Sequence, residues 1–203
     1  MECRMDRVTE KTKGTARDFL ELIARATDQH EGFLGVSKNC KTVEQYVLEV
    51  GNDFHSCELT KNELQLLDRI DWKYDKKKEC YRNAQMMAAK IEILKKESPS
   101  RVPGIGHMNI QYTEGFVCPG ISIGLAHAWI TINGKIIDST LRWENSDERI
   151  FGLIPDDYSY YGVGMPLNIC NHIFKHMAHI SIIDDYECHW PLIREYGGDH
   201  DEP

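Results

Sequence analysis

The period of the hydrophobic positions changes part-way along this chain, and that change predicts its architecture. From Thr15 the run Ala-Arg-Asp-Phe-Leu-Glu-Leu-Ile-Ala-Arg-Ala sets Phe19, Leu20, Ile23 and Ala24 at helical spacing. Residues 43–50 predict a second short helix carrying Tyr46, Val47 and Val50. Thr60-Lys61-Asn62-Glu63 has the capping-box pattern, in which a hydroxyl and a carboxylate each satisfy an orphan amide, and Leu64, Leu66, Leu67 and Ile70 follow it. The strongest helical signal runs from Cys80 to about Lys96, with Ala84, Met87, Ala88, Ile91 and Leu94 on one face. Its small alanines permit close packing against a sheet, and it must end before Pro99.

After Pro103-Gly104 the period falls to two. Residues 108–117, 125–132 and 135–141 read as strands, the last two joined by Asn133-Gly134, a strong two-residue hairpin signal. Helices first and antiparallel strands afterwards predict an α+β fold rather than a βαβ alternation. Beyond Trp143 the pattern thins. Residues 158–166, Tyr-Ser-Tyr-Tyr-Gly-Val-Gly-Met-Pro, read as an aromatic, glycine-rich loop, 167–177 as a helix and 180–183 as a short strand. Residues 1–13 are charged and aperiodic, and the tail from Gly197 is expected to be disordered.

Length and composition narrow this picture. A chain of 203 residues suits a single domain: a helical layer over 14–70, a core over 71–196 and a tail over 197–203. Lys and Arg number 24 against 32 Asp and Glu, a net charge of −8, which argues against general nucleic-acid binding through phosphates. The lysines at 76–78 and 95–96 read as solvated helix flanks. Seven cysteines, odd in number and without CxxC spacing, suggest neither a zinc ribbon nor a thioredoxin motif and fit free thiols in a reducing cytoplasm. The first residues lack the apolar stretch of a signal peptide. No run approaches the ~20 apolar residues that cross a bilayer. A cytoplasmic protein, off the membrane, is expected.

Three residues of the predicted core carry recognisable chemistry. Cys80 opens the strongest helix, His127 lies inside the strand Leu-Ala-His-Ala-Trp-Ile-Thr-Ile, and Asp138 sits on the neighbouring strand in Ile-Ile-Asp-Ser-Thr. A helix start and a histidine base both favour a thiolate over a thiol of pKa ~8.5. The hairpin sets Trp129 opposite Asp138, so the carboxylate is a diagonal neighbour of His127 on one face, within reach to orient the imidazole. Taken singly, a cysteine is a small core residue, a strand histidine a structural one and an aspartate a turn former. Their joint order and contexts point to an activated nucleophile.

Around them, the small Ala126 and Ala128 leave room for a substrate, with Trp129 beside them. The Cys80 amide is the natural first oxyanion donor. Asn83, about one turn along the helix, is either a substrate contact or a structural residue. Tyr112 and Glu114 share a face and either line an acyl pocket beside His127 or are a packing tyrosine and a solvent-facing glutamate. Trp72 and Tyr74 wall the site or fill the core. His172, His176 and His179 fall on one helical face, but with Glu187 and His189 as the only guesses for a fourth ligand they read as a polar face, and no metal is expected.

Cys-Tyr-Arg-Asn-Ala-Gln at 80–85, Tyr-Thr-Glu-Gly-Phe-Val at 112–117, His-Ala-Trp at 127–129 and Ile-Asp-Ser-Thr at 137–140 resemble the core of the transglutaminase-like branch of the papain-like cysteine superfamily. The resemblance covers about residues 78–141, with 160–163 as a continuation, and departs from the family pattern in having Ser139 where proline is usual. It implies a papain-like, transglutaminase-type core: a nucleophile helix packed on an antiparallel sheet and preceded by a helical segment. It also implies Cys80 as nucleophile, His127 as base and Asp138 as orienter, no cofactor, a microbial or phage origin, and a peptide, amide or other acyl-bearing substrate processed through an acyl-thioester. Two alternatives stand beside it. One is a non-catalytic binding or scaffold protein on the same fold. The other is an arylamine-type N-acetyltransferase, for which no phosphate-cradling loop is visible.

Overall fold

The computed structural model of the chain describes residues 14–28, 43–70, 79–120, 123–143, 146–167 and 181. It is an α+β fold. The helices are α1 (Ala16–Asp28), α2 (Val43–Val50), α3 (Lys61–Arg69) and α4 (Cys80–Glu97). The strands are β1 (Asn52–Phe54), β2 (Ile110–Pro119), β3 (Leu125–Ile132), β4 (Lys135–Arg142), β5 (Arg149–Phe151) and β6 (Tyr158–Pro166). They form one antiparallel sheet in the order β1-β6-β2-β3-β4-β5. No helix among the described residues is long and apolar enough to cross a membrane.

The helical signals hold at their cores. In α1, Leu20 and Ala24 are buried with Phe19 packed beside them, and α2 buries Tyr46 and Val47. Val50 and Leu64 are 41% and 50% exposed: Val50 is the last residue of α2, and Leu64 lies at the margin of the apolar stripe of α3. Residues 14–70 are not purely a helical layer either. Asn52, Asp53 and Phe54 pair with Gly162, Tyr161 and Tyr160 as an edge strand. A segment of three residues is too short for alternation to declare itself.

The capping box at α3 is formed, and it does more than start a helix. Glu63 Oε2 accepts the Thr60 N–H at 2.7 Å while the Glu63 N–H reaches Thr60 Oγ1 at 3.4 Å. The same buried carboxylate accepts Lys135 Nζ at 2.8 Å and Asn133 Nδ2 at 2.7 Å, which bolts α3 to the β3–β4 turn. Burial opposes the Glu63 charge, but Lys135, the Thr60 N–H and Asn133 together hold its carboxyl down to about 2. A depressed carboxyl stabilises the fold above its ordinary value of 4.5, and that stability drains away as pH falls toward about 2. Glu63→Ala is expected to cost about 2–3 kcal/mol in urea unfolding near neutral pH, and a loss below about 0.5 kcal/mol would refute the bolt.

The hairpin carries Asn133 at φ 53° and Gly134 at φ 80°, the left-handed pair its sequence asks for. Ile130, Thr131 and Ile132 face Ile137, Ile136 and Lys135 in the expected register. Two apolar clusters flank the sheet. On one face α4 sets Ala84, Met87, Ala88 and Ile91 against Tyr112, Ala128, Ile130 and Ile132, with Leu20, Val47 and Leu66 from the other helices. On the other lie Val117, Trp129, Ile136, Ile150, Ile154 and Tyr160.

The second face is closed by curvature. The Cys57 N–H donates to the Gly152 carbonyl at 2.9 Å, and the Ile154 N–H donates to Ser56 Oγ at 3.0 Å. Those stretches follow β1 and β5, the opposite edges of the sheet, so the sheet curls until its edges meet. Phe54 of β1 then packs edge-on against Trp129 of β3, 5.5 Å between ring centroids. Residues 158–166, expected as a loop, are strand β6 and lie inside the sheet between β1 and β2. Cross-strand partners on both sides outweigh the turn tendency of Gly162 and Gly164. The expected helix at 167–177, strand at 180–183 and tail at 197–203 fall essentially outside the described residues.

Candidate functional site

The site forms where β4 leaves β3. The β3–β4 ladder runs from the turn to Ile130 and Ile137. On its other edge β4 pairs Asp138 with Ile150 and then resumes at Arg142 with Arg149. Ser139, Thr140 and Leu141 are therefore extra residues on β4, a bulge that turns the strand at Asp138. The backbone amides freed by the bulge find a side chain: Asp138 Oδ1 accepts the Thr140 N–H at 2.8 Å and the Leu141 N–H at 3.0 Å. Thr140 meets α4, where its Oγ1 accepts Asn83 Nδ2 at 2.9 Å in a buried contact. The bulge thus fixes both the aspartate and the seat of α4.

Cys80 is the first residue of α4 and is half-buried. The first turn contains no acidic residue and Glu79 at the N-cap makes no side-chain cap, so no carboxylate caps the helix end at which the sulfur sits. His127 and the N–H groups of Ala128 and Tyr81 are placed to favour the anionic form of the sulfur. In continued register Ala128 would face Ser139; past the end of the ladder its amide meets the thiol instead.

His127 is 4% exposed, and its Nε2 lies 2.7 Å from Asp138 Oδ2, leaving Nδ1 for the thiol. Its ring stacks on Trp129, with centroids 6.1 Å apart and planes 22° from parallel. The indole in turn lies over Gly162, where any Cβ would come within 2.8 Å of Trp129 Cη2. Gly115, beside both His127 and Gly162 in the sheet, has no space for a Cβ either, since one would stand 2.2 Å from the Tyr161 carbonyl oxygen. Gly162 leaves room for the indole beneath the imidazole, and Gly115 lets β2 and β6 approach closely there. Tyr160 also reaches the site, its O–H donating to Asp138 Oδ2 at 2.9 Å.

The three groups set one another's charge. Burial pushes the Cys80 thiol up, but the His127 hydrogen bond and charge, followed by the Ala128 and Tyr81 amides, bring it below its ordinary value. For His127, burial works against protonation and is overcome by Asp138, then by Cys80, which push it up to about 10. Burial likewise opposes the Asp138 charge, yet His127 and the Leu141 and Thr140 amides hold the carboxyl below its usual range. All three shifts favour thiolate, imidazolium and carboxylate in line. Such an array sets an ionised sulfur beside a proton-bearing ring.

Cys80, His127 and Asp138 are thus brought together, by the diagonal contact that the hairpin register implies. The remaining sequence candidates are placed differently. Tyr112 and Glu114 share a face, but it is the opposite one from His127, because the register sets Gly115 against His127 and Glu114 against Ala128. They lie buried under α4, where the Tyr112 O–H donates to Glu114, Gln85 Nε2 approaches the Tyr112 hydroxyl and Ser181 donates to Glu114 at 2.6 Å. They do not line a pocket beside the imidazole. Trp129 is 1% exposed and supports His127 from within the core, so it offers no surface to a substrate. Asn83 is buried and engaged with Thr140, which is the structural alternative for it.

Tyr160 is the site residue that sequence reasoning missed. The signal was present: Tyr158, Tyr160 and Gly162 alternate with Ser159, Tyr161 and Val163 as in a strand, behind glycines that suggested a loop. Trp72, Tyr74, the lysines at 76–78, and His172, His176, His179, Glu187 and His189 lie outside the described residues. No family model, curated protein or solved structure matches the chain.

Proposed function

We propose that this protein is a thiol-dependent enzyme that cleaves or transfers an acyl group at an amide or related bond, on a papain-like, transglutaminase-type core. The observation that carries the reading is the line from half-buried Cys80 at the α4 N-terminus through buried His127 to Asp138, with its Nε2–Oδ2 contact of 2.7 Å. A structural cysteine and histidine would gain nothing from being held ionised against the cost of burial.

In this reading the Cys80 sulfur bonds to the substrate carbonyl carbon, and the carbonyl electron pair moves onto oxygen, where amides at the start of α4 receive it. Collapse of that intermediate expels the amine, which takes the Nδ1 proton of His127 and leaves an acyl-thioester on Cys80. Water or a second amine then gives its proton to Nδ1 as it attacks, and the thiolate departs. Asp138 keeps the imidazole turned and compensates its charge throughout. No step requires a cofactor.

The test is trapping of the thioester. Brief incubation with p-nitrophenyl acetate is expected to leave one hydroxylamine-labile acetyl group on the Cys80 peptide by mass spectrometry. The label should vanish in Cys80→Ala and fall by at least about tenfold in His127→Ala. Equal labelling of the exposed Cys57 and of Cys80 would refute the reading.

A further inference from the structure

We propose that Tyr160 is a positioning residue for the Cys80–His127 pair: its hydroxyl shares Asp138 Oδ2 with His127 and so limits how tightly the carboxylate holds the imidazolium proton. This rests on the acyl-transfer reading above and deepens it. Asp138 Oδ2 receives the Tyr160 O–H at 2.9 Å and faces His127 Nε2 at 2.7 Å, while Oδ1 receives two backbone amides at 2.8 and 3.0 Å. A carboxylate offers about four lone-pair sites, and here all four are engaged.

Saturation has two consequences. The carboxylate plane is fixed by donors at both oxygens, which aims Oδ2 at the imidazole. The charge on Oδ2 is also divided between two donors. Without the hydroxyl, the imidazolium alone would face that charge and hold its proton more firmly. An imidazolium held too firmly is a poor acid toward a departing amine.

The surroundings suit Tyr160 to this work. It is 1% exposed, wedged edge-on against Trp129 at 5.2 Å between centroids and tilted toward His127 at 6.5 Å. Burial, and then the charge of Asp138, keep its phenol protonated and therefore a donor. Among the described residues, the titratable groups that bear on this cluster are Cys80 from α4, His127 from β3, Asp138 from β4 and Tyr158 beside Tyr160 on β6. β1 and β5 contribute the apolar Phe54 and Ile150 to the same face. Phenylalanine would fill the same space, so packing alone gives no reason for a hydroxyl here.

The deciding measurement is a nitrogen-15 NMR titration of the His127 imidazole in the full chain, assigned by comparison with His127→Gln. Tyr160→Phe is expected to raise the deprotonation midpoint, about 10 in the native protein, by about half a unit, a threefold change in the dissociation constant. Site-specific 3-fluorotyrosine at position 160, a stronger donor, is expected to lower it, and it decides the matter if the phenylalanine variant does not fold. A raised native midpoint that these replacements leave in place, or move the other way, overturns the role of Tyr160 and leaves the acyl-transfer reading standing. A native His127 that titrates at the ordinary 6.5 overturns both.

Discussion

Iodoacetamide is expected to alkylate Cys80 with a pH profile that levels off below pH 9.0, whereas an ordinary thiol is still speeding up steeply in that region. The level stretch reflects a sulfur that is already ionised. His127→Ala removes both the hydrogen bond and the charge that lower the Cys80 thiol, and leaves the burial that raises it. In that variant the rate near neutral pH should fall by about tenfold and climb only as pH passes 9.0. The drop is smaller than the loss of thiolate alone, because a thiolate of higher pKa is intrinsically the better nucleophile. Two other cysteines serve as internal references: Cys57 is exposed, and Cys118 is buried with its thiol pushed up.

Alkylation and acyl transfer should part company on the alkaline side. Alkylation needs only the thiolate, which remains when His127 releases its proton near 10, so its rate does not decline there. Acyl transfer to or from an amine needs the imidazolium proton, so its kcat/KM should rise through the lowered Cys80 value and fall through about 10. Peptide mass mapping follows the first. Steady-state rates with a chromogenic acyl donor follow the second. Identical ordinary-thiol profiles in native protein and His127→Ala would remove the activated pair and leave a binding domain.

The legible parts of this chain are those in which a local rule suffices. The capping box at Thr60, the apolar face of α4, and the left-handed pair Asn133-Gly134 each depend on a few neighbouring residues, and each is formed as its sequence implies. The hairpin register followed from the turn, and with it the diagonal meeting of His127 and Asp138. The illegible parts depend on partners distant in sequence. Strands β1 and β5 have three residues each, too few for a period, and exist because longer strands offer them an edge. β6 is flanked on both sides, and at its Gly162 Trp129 and the Glu114 backbone come too close for a Cβ, which only the folded sheet reveals.

Tyr112 and Glu114 show the sharper limit. Alternation correctly puts them on one face, but choosing that face requires the β2–β3 register. Residues 120–124 join those strands without a tight-turn signal, so whether Glu114 or Gly115 stands beside His127 could not be read. Slipping the pairing by one residue exchanges the faces, and with them a proposed pocket wall and a buried support.

Asp138→Ala is expected to be the most destabilising change at the site, at about 3–5 kcal/mol in urea unfolding, because it strands a buried imidazolium without its counter-charge. It also orphans three other donors: the Tyr160 hydroxyl and the Thr140 and Leu141 amides that hold the β4 bulge. Asp138→Asn keeps the volume and an acceptor for those amides, so it separates the charge from the packing. The charge part has a sign that can be worked out. His127 is raised in the fold, so its pairing with Asp138 stabilises in full below its ordinary 6.5, and that contribution is lost as pH rises toward the folded value. Asp138 is lowered, so its contribution is present above 3.8 and is lost as pH falls through its folded value. Cys80, also lowered, has the opposite linkage to His127 and would mask it, so the comparison belongs in a Cys80→Ala background. That background also removes the Cys80 part of the His127 shift, so the cost of Asp138→Asn should be greatest between pH 3.8 and 6.5 and shrink as pH rises above 6.5. A cost that is the same at pH 6.5 and pH 10 would mean that Asp138 holds the bulge and does not charge the histidine.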